Sequence, residues 1–388
     1  MRANNFLAVS AVSAGLALLA SCIDPYVPEI TDAQDVLVIS GKITDKTGFQ
    51  EVRISRSSPY NSPEFVPLSG CVVTVSDQEG TMAFYEEAAG GTYRVYLEEP
   101  FLGVGKAYSL QVVTPSGSTY QSTFDTLLAC PPVEKLYYEV EARETAVPDE
   151  VLPGIQFFND VSSRPGEAGN FRWVLEESWE YNAPYWPSYI WYGAEIVVNV
   201  SDSLYTCYMK EGIQSIFTAS NRSLEGTSIK RNPLHFVSNE SPRLHLRYGL
   251  QILQQSLTDQ SYAYWKTMEE QAAEGGSLYE TQPVSTVGNV YNVSDGNEKV
   301  LGCFYATQEQ EAHLLIPNEF DFLTHGFQCK IDTIYSLSGL GRDYPYFLIG
   351  YAVTGTGPPY GYGDKECFDC KMLGGTKALP EYWYDENE

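Results

Sequence analysis

Positive charge is scarce in this chain. Its 388 residues include 24 Lys and Arg against 50 Asp and Glu, a formal net charge of −26. So acidic a surface repels phosphate backbones and anionic headgroups, which sets nucleic acid aside as a partner. Charged residues make up only 19% and hydrophobic ones 43%, the reverse of the balance in a disordered chain. Long apolar runs are also few: beyond residue 22 none approaches the ~18 residues of a membrane-spanning helix. Catalytic signatures are missing too, with no GxSxG, SxxK, P-loop, dinucleotide fingerprint or EF-hand loop. The four histidines, His235, His245, His313 and His325, are scattered. No second CxxC or HxxxH accompanies Cys367-Phe-Asp-Cys370, so neither a metal nor a cofactor is expected. Adjacent carboxylates such as Glu176/Glu177 and Glu269/Glu270 read as solvated neighbours, although a glycosidase pair spread over separate strands leaves no local mark.

What is present starts at the N-terminus. Arg2 supplies a short positive region, Phe6 to Ala20 is apolar, and Leu19-Ala20-Ser21-Cys22 follows. The apolar stretch is too short to span a bilayer and fits a signal peptide. Its end resembles the lipobox of bacterial lipoproteins, with small residues for the peptidase and a thiol for the lipid thioether. Residues 1–22 are therefore expected to be a lipoprotein signal peptide, with lipidation at Cys22 anchoring the chain to a membrane. Residues 23–35, with Pro25, Pro28 and four acids, read as a tether.

The remainder predicts a mainly β protein. Seven short segments alternate between apolar and polar residues and are separated by turn signals: 36–44, 51–57, 71–77, 81–87, 92–98, 107–115 and 118–124. Their number and spacing predict an Ig-like β-sandwich over 36–130. From Cys130 onward the segments lengthen, and 131–388 reads as a larger β-rich domain. Strands are expected over 136–142, 155–161, 171–181, 195–201, 245–257 and 313–316. A helix is expected over 258–274, capped by Thr258 or Asp259, with Tyr264, Trp265, Met268 and Ala272 on its buried side. Residues 284–293 and 299–307 read as a hairpin around Asp295-Gly296. The tail from 340, rich in Gly, Tyr and Pro, reads as a loop.

An exported chain permits disulfides. Setting Cys22 aside leaves seven cysteines, an odd number, so at least one stays free or pairs elsewhere. Cys71 and Cys303 lie in apolar strand patterns and suit buried thiols. Cys329, Cys367 and Cys370 are the candidates for disulfides near the C-terminus, with the connectivity open. A second candidate site is the segment 179–192, with Trp179, Tyr181, Tyr185, Trp186, Tyr189, Trp191 and Tyr192. Exposed, these rings would make a platform for a sugar or a protein partner. Folded back, they would fill a gap between sheets. A second group, Tyr344, Tyr346, Tyr351, Tyr360 and Tyr362, is expected either to line the same surface or to form a long hydrogen-bonded lid.

Several phrases together resemble a known family. They are Cys22-Ile-Asp-Pro25, the stretch from Val72 to Glu86, Tyr262-Ala-Tyr-Trp265-Lys266, Gly276-Ser-Leu-Tyr279, Gln282-Pro283, Gly288-Asn289-Val290, Val300-Leu301-Gly302, Cys367-Phe-Asp-Cys370, Gly374-Gly375-Thr376 and Pro380-Glu-Tyr-Trp383. The chain is similar to the Bacteroidota lipoproteins grouped as domain-of-unknown-function family 4249. That resemblance implies an outer-membrane lipoprotein acting beside a TonB-dependent receptor in nutrient capture or receptor assembly; the missing catalytic motifs, not the resemblance, point to a non-enzymatic role. The alternatives are a glycan- or peptide-processing envelope enzyme and a structural envelope component. Three tripeptides, Asp125-Thr126-Leu127, Asp202-Ser203-Leu204 and Asp332-Thr333-Ile334, match the short O-glycosylation acceptor pattern of that phylum.

Overall fold

The computed structural model describes residues 36–58, 64–145, 147, 150–222, 227–274, 286–317, 320–321, 329–350 and 359–384. The leader, Cys22, the tether, Gly276–Tyr279, Gln282-Pro283, His325 and Tyr351 lie outside the described residues. The protein is mainly β, as its alternating pattern predicts.

All seven expected N-terminal segments form strands. They run Leu37–Thr44, Gly48–Arg56, Val72–Asp77, Met82–Ala89, Thr92–Leu97, Ala107–Val113 and Thr119–Ser122. The sheet folds over on itself, so inward residues from distant strands share one core. Ile39, Ile43, Val52 and Ile54 from one half meet Val73, Val75, Leu110 and Val112 from the other.

This unit is not complete at residue 130. Val290–Asn292 pairs antiparallel with Thr119–Ser122, while Val300–Leu301 and Phe304–Thr307 pair parallel with Leu37–Thr44. Val290, Val300, Phe304 and Ala306 are buried in the same core. The two limbs expected to form a hairpin therefore separate to different edges, apart from one bridge between Val287 and Leu301. The limbs touch only where they start, a Cβ on Gly288 lying 1.7 Å from the Gly302 carbonyl oxygen, and the second limb is drawn onto the first strand by a close approach at Gly302, where a Cβ would lie 2.1 Å from the Ile39 carbonyl oxygen. Gly302 also has φ +89°, which favours glycine.

Asn289 fixes this arrangement. Its Nδ2 donates to the Phe304 carbonyl at 2.6 Å and its Oδ1 accepts from the Phe304 N–H at 2.9 Å. Asn289→Ala leaves both buried groups unpaired and is expected to cost about 2 kcal/mol, read from the shift of a urea unfolding midpoint. A loss below ~0.5 kcal/mol would show that the closure does not depend on this side chain.

The second unit packs two sheets. One has the order Thr206–Ser220, Asn170–Asn182, Tyr248–Leu257, Glu309–Ile316, and the other Lys135–Glu144, Val151–Ser162, Ser228–Ser238. Between them lie Phe157, Phe171, Trp173, Leu175, Leu250 and Ile252. The Phe157 and Tyr248 rings stack across the gap with centroids 5.6 Å apart. Two of these strands, Thr206–Ser220 and Ser228–Ser238, are not foreseen from the sequence.

The outer face of the four-stranded sheet is covered from two directions. The helix Asp259–Glu274 lies over one end, with Thr258 capping it: Ser261 N–H donates to Thr258 Oγ1 at 3.3 Å. Arg172 stacks on the Trp265 ring at 3.6 Å, and Glu269 accepts from the Thr218 N–H and hydroxyl. Tyr262, Tyr264 and Trp265 pack inward, whereas Ala272, expected on that side, is exposed. The other end is covered by Tyr382 and Trp383, both buried. Asp125 ties the helix to the first unit: its buried carboxylate accepts from the hydroxyls of Thr258 and Ser261 and from the Ala306 N–H.

Candidate functional site

The C-terminal tail, expected as a loop, builds a third, smaller sheet. Its order is Ile196–Val198, Tyr189–Trp191, Tyr346–Gly350, Tyr360–Tyr362, Asp332–Ile334. Its core is small, with Phe347, Phe368 and Cys367 buried, so covalent support matters. Cys329 is disulfide-bonded to Cys367, and Cys370 to Cys207 across 163 residues. The close pair Cys367 and Cys370 thus divides between two bridges, which tie the tail to this sheet and to the four-stranded sheet. It is neither half a zinc site nor a redox pair. Cys71, Cys130 and Cys303 are free and buried. Burial pushes the Cys130 and Cys303 thiols up to about 12, which makes both poor nucleophiles at neutral pH.

The seven aromatic residues of the 179–192 segment do not share one surface. Trp179 and Tyr181 precede Pro184 and continue the central strand Asn170–Asn182 into the second core. The Tyr181 hydroxyl donates to the Cys370 carbonyl. Tyr185 and Trp186 sit at the solvent edge, against Phe368 and Tyr205. Tyr189 and Trp191, beyond Pro187, lie in the third sheet, where the Tyr189 ring meets Tyr360 at 5.6 Å. Tyr192 is half-exposed at its turn.

The third sheet carries a groove of about 430 Å³. Its principal lining is Tyr346, Tyr362, Asp332, Asp343, Lys330 and Lys365. Register explains the grouping. Tyr362 pairs with Leu348 on one side and Asp332 on the other, and Tyr346 is two residues from Leu348, so these side chains share a face. Lys330 Nζ lies 3.6 Å from Asp332, and Lys365 Nζ lies 3.5 Å from Asp343. With Asp364 also in the lining, three carboxylates face two ammonium groups, so the groove carries one net negative charge. Two phenol rings between paired cations and carboxylates offer stacking area together with donors and acceptors. That chemistry suits a neutral ligand rich in hydroxyls more than an ion.

Sequence reasoning missed a second titratable cluster. Glu177 is not solvated as expected: it is 3% exposed and faces the interior of the second unit. Tyr248 Oη donates to its Oε2 at 2.8 Å, His235 Nε2 lies 3.5 Å from Oε2, and Arg243 lies 3.3 Å from Oε1. Burial acts to raise the Glu177 pKa, but His235, Tyr248 and the Arg243 charge outweigh it and hold the carboxyl below its usual range. The alternation Phe171, Trp173, Leu175 already points to position 177 as inward. Of the three candidate acceptor tripeptides, Asp125-Thr126-Leu127 is closed off, since Asp125 and Leu127 are buried. Ser203 and Thr333 are exposed.

The profile of a domain of unknown function, DUF4249, matches residues 23–313. The chain belongs to the DUF4249 family. For this DUF4249 protein no curated protein matches. Among solved structures it is similar to trypsin-activated alpha-2-macroglobulin from Escherichia coli, at 8% identity and a TM-score of 0.20. That alignment covers 58% of this chain and 14% of the other, and so weak a likeness carries no argument. The match to DUF4249 spans both larger units and Tyr189–Trp191, while the groove residues lie beyond residue 313. No helix among the described residues is long and apolar enough to cross a membrane.

Proposed function

We propose that this DUF4249 chain is a lipid-anchored outer-membrane protein that captures a neutral, hydroxyl-rich ligand, a saccharide, and docks on a TonB-dependent receptor for its uptake. The observation that carries this reading is the groove beside the Cys329–Cys367 bridge, with Tyr346 and Tyr362 flanked by Asp and Lys side chains that are largely paired with one another. Two further features support it. Leu19-Ala20-Ser21-Cys22 has the form of a lipidation signal, and two disulfides suit an oxidising compartment outside the cytoplasm. The acidic surface disfavours nucleic acid as an alternative cargo.

The test is a glycan array of neutral and acidic oligosaccharides probed with the full chain, followed by affinities for the strongest neutral hit. Tyr362→Ala and Tyr346→Ala each remove one stacking ring and are expected to weaken binding by about tenfold, roughly 1.4 kcal/mol, with the unfolding midpoint unchanged. Wild-type affinity in both variants, or no retained glycan, rejects the groove as the site. Receptor docking is read separately, by recovery of a β-barrel partner after gentle solubilisation of the membrane.

A further inference from the structure

The outer face of the N-terminal sheet breaks the rule that an exposed antiparallel sheet is polar outside. On the neighbouring strands Met82–Ala89, Thr92–Leu97 and Gly48–Arg56, alternation turns Tyr85, Tyr93 and Val52 inward and Phe84, Tyr96 and Phe49 outward. Phe49 is directly opposite Tyr96, their rings edge to face at 5.4 Å. Glu86 is opposite Arg94, and the same register two residues on brings Phe84 level with Tyr96. Met82 continues the row along its strand. Exposure is 73% for Phe49, 55% for Tyr96, 65% for Phe84 and 61% for Met82. Contiguous exposure of this kind marks a contact surface.

Charge and chain length say what covers it. Arg53 and Arg94 both bind Glu51 beside the row, and Glu86 stands opposite Arg94, so that cluster is charge-balanced, as a zwitterionic headgroup layer is. Residues 36–130 hold six Lys and Arg against ten Asp and Glu, whereas 131–388 hold seventeen against thirty-six. Net acidity per residue is thus lower in the N-terminal segment than in the rest of the chain, and a zwitterionic surface does not repel it. Fourteen residues separate Cys22 from the start of the first strand, a reach of about 50 Å when extended. The strand Leu37–Thr44, which leads toward the Phe49 end, is about 26 Å long. An acyl chain on Cys22 therefore permits the row to lie on the bilayer that holds it.

We propose that Phe49, Phe84, Tyr96 and Met82 form the face by which the anchored protein lies on a zwitterionic lipid surface. The apolar rings enter the interfacial zone, the Tyr96 hydroxyl stays at headgroup level, and the balanced Arg53, Arg94, Glu51 and Glu86 side chains meet the zwitterionic headgroups. The anchor supplies residence and the row supplies orientation, holding the protein on its N-terminal sheet. This face rests on the anchoring reading given under Proposed function.

The experiment uses the full acylated chain on phosphatidylcholine vesicles with and without brominated acyl chains. All six tryptophans lie at position 173 or beyond, so Phe84→Trp places a new reporter in the row. Val200→Trp places one on an exposed loop beside the third sheet. Brominated lipid is expected to quench most of the emission added by Phe84→Trp, with a shift to shorter wavelength, and none of that added by Val200→Trp. The N-terminal residue is weighed by mass spectrometry on the same samples. A diacylated Cys22 with Phe84→Trp quenched no more than Val200→Trp overturns the lipid face alone and leaves the anchor standing. An unmodified Cys22 overturns both.

Discussion

Trp383→Ala is expected to lower stability by about 3–5 kcal/mol, a large share of what holds a domain of ordinary stability folded. Trp383 is fully buried although only five residues follow it in the chain. Its Nε1 donates to Ser178 Oγ at 2.9 Å, its ring meets Tyr208 edge to face at 5.6 Å, and Arg247 lies 4.9 Å from the ring centre. Gly249 makes room for it: a Cβ there would lie 2.7 Å from Trp383 Nε1 and 2.6 Å from Tyr382 Oη. The cavity left by alanine has little freedom to collapse, because Ser178 and Gly249 belong to paired central strands. Trp383→Phe keeps most of the ring and loses the hydrogen bond, so an intermediate loss is expected. Urea unfolding monitored by circular dichroism reads both, and a loss below ~1 kcal/mol for the alanine variant would mean that the tail is not part of the folded core.

Much of the first unit was legible because its strands alternate. Once one side of a segment is buried, a period of two fixes which residues face the core. Val73, Val75, Tyr93 and Leu97 follow that pattern and are buried. What escaped was non-local. Nothing near Cys370 distinguishes Cys207 as its partner, and nothing between 284 and 307 says that the two limbs part to flank separate strands. The requirement there is contact between Gly302 and Ile39, which stand far apart in the chain. Thr206–Ser220 was missed because Lys210-Glu211-Gly212 interrupts it and most of its residues are only half-buried, so no face dominates.

The candidate site was legible in composition but not in placement. The aromatic residues of 179–192 look continuous in sequence, yet Pro184 divides them physically: a strand end before it, a turn and a new sheet after it. Tyr346, Tyr360 and Tyr362 stand out in composition, but they lie in the Gly- and Pro-rich tail, where turn residues mask short strands. Their common face arises only when Asp332–Ile334 pairs beside them. Glu177 is the opposite case. Its neighbours already spelled an inward alternation, but a charged residue next to Glu176 looked solvated because isolated buried carboxylates are rare.

Acid should unfold the second unit partly through Glu177. Burial works to raise its pKa, but His235, Tyr248 and Arg243 prevail and hold the folded-state carboxyl below the ordinary value of 4.5. A group with a depressed folded pKa binds more protons in the unfolded state. Its stabilisation is therefore complete above the unfolded pKa and is lost as pH falls through the folded one. Glu177→Gln keeps the shape and can still accept from Tyr248, but among the described residues it leaves Arg243 with the half-exposed Glu211, 3.5 Å away, as its remaining carboxylate, beside the Trp179 ring. Removing one partner of a buried pair this way is expected to cost about 3 kcal/mol at pH 7. The cost should stay constant down to about pH 5 and then shrink as the wild-type carboxylate protonates. Chemical denaturation of both chains at pH 7, 5, 4 and 3 measures the difference. A gap of the same size at pH 3 as at pH 7 would mean that side-chain packing, and not the negative charge facing Arg243, accounts for the loss.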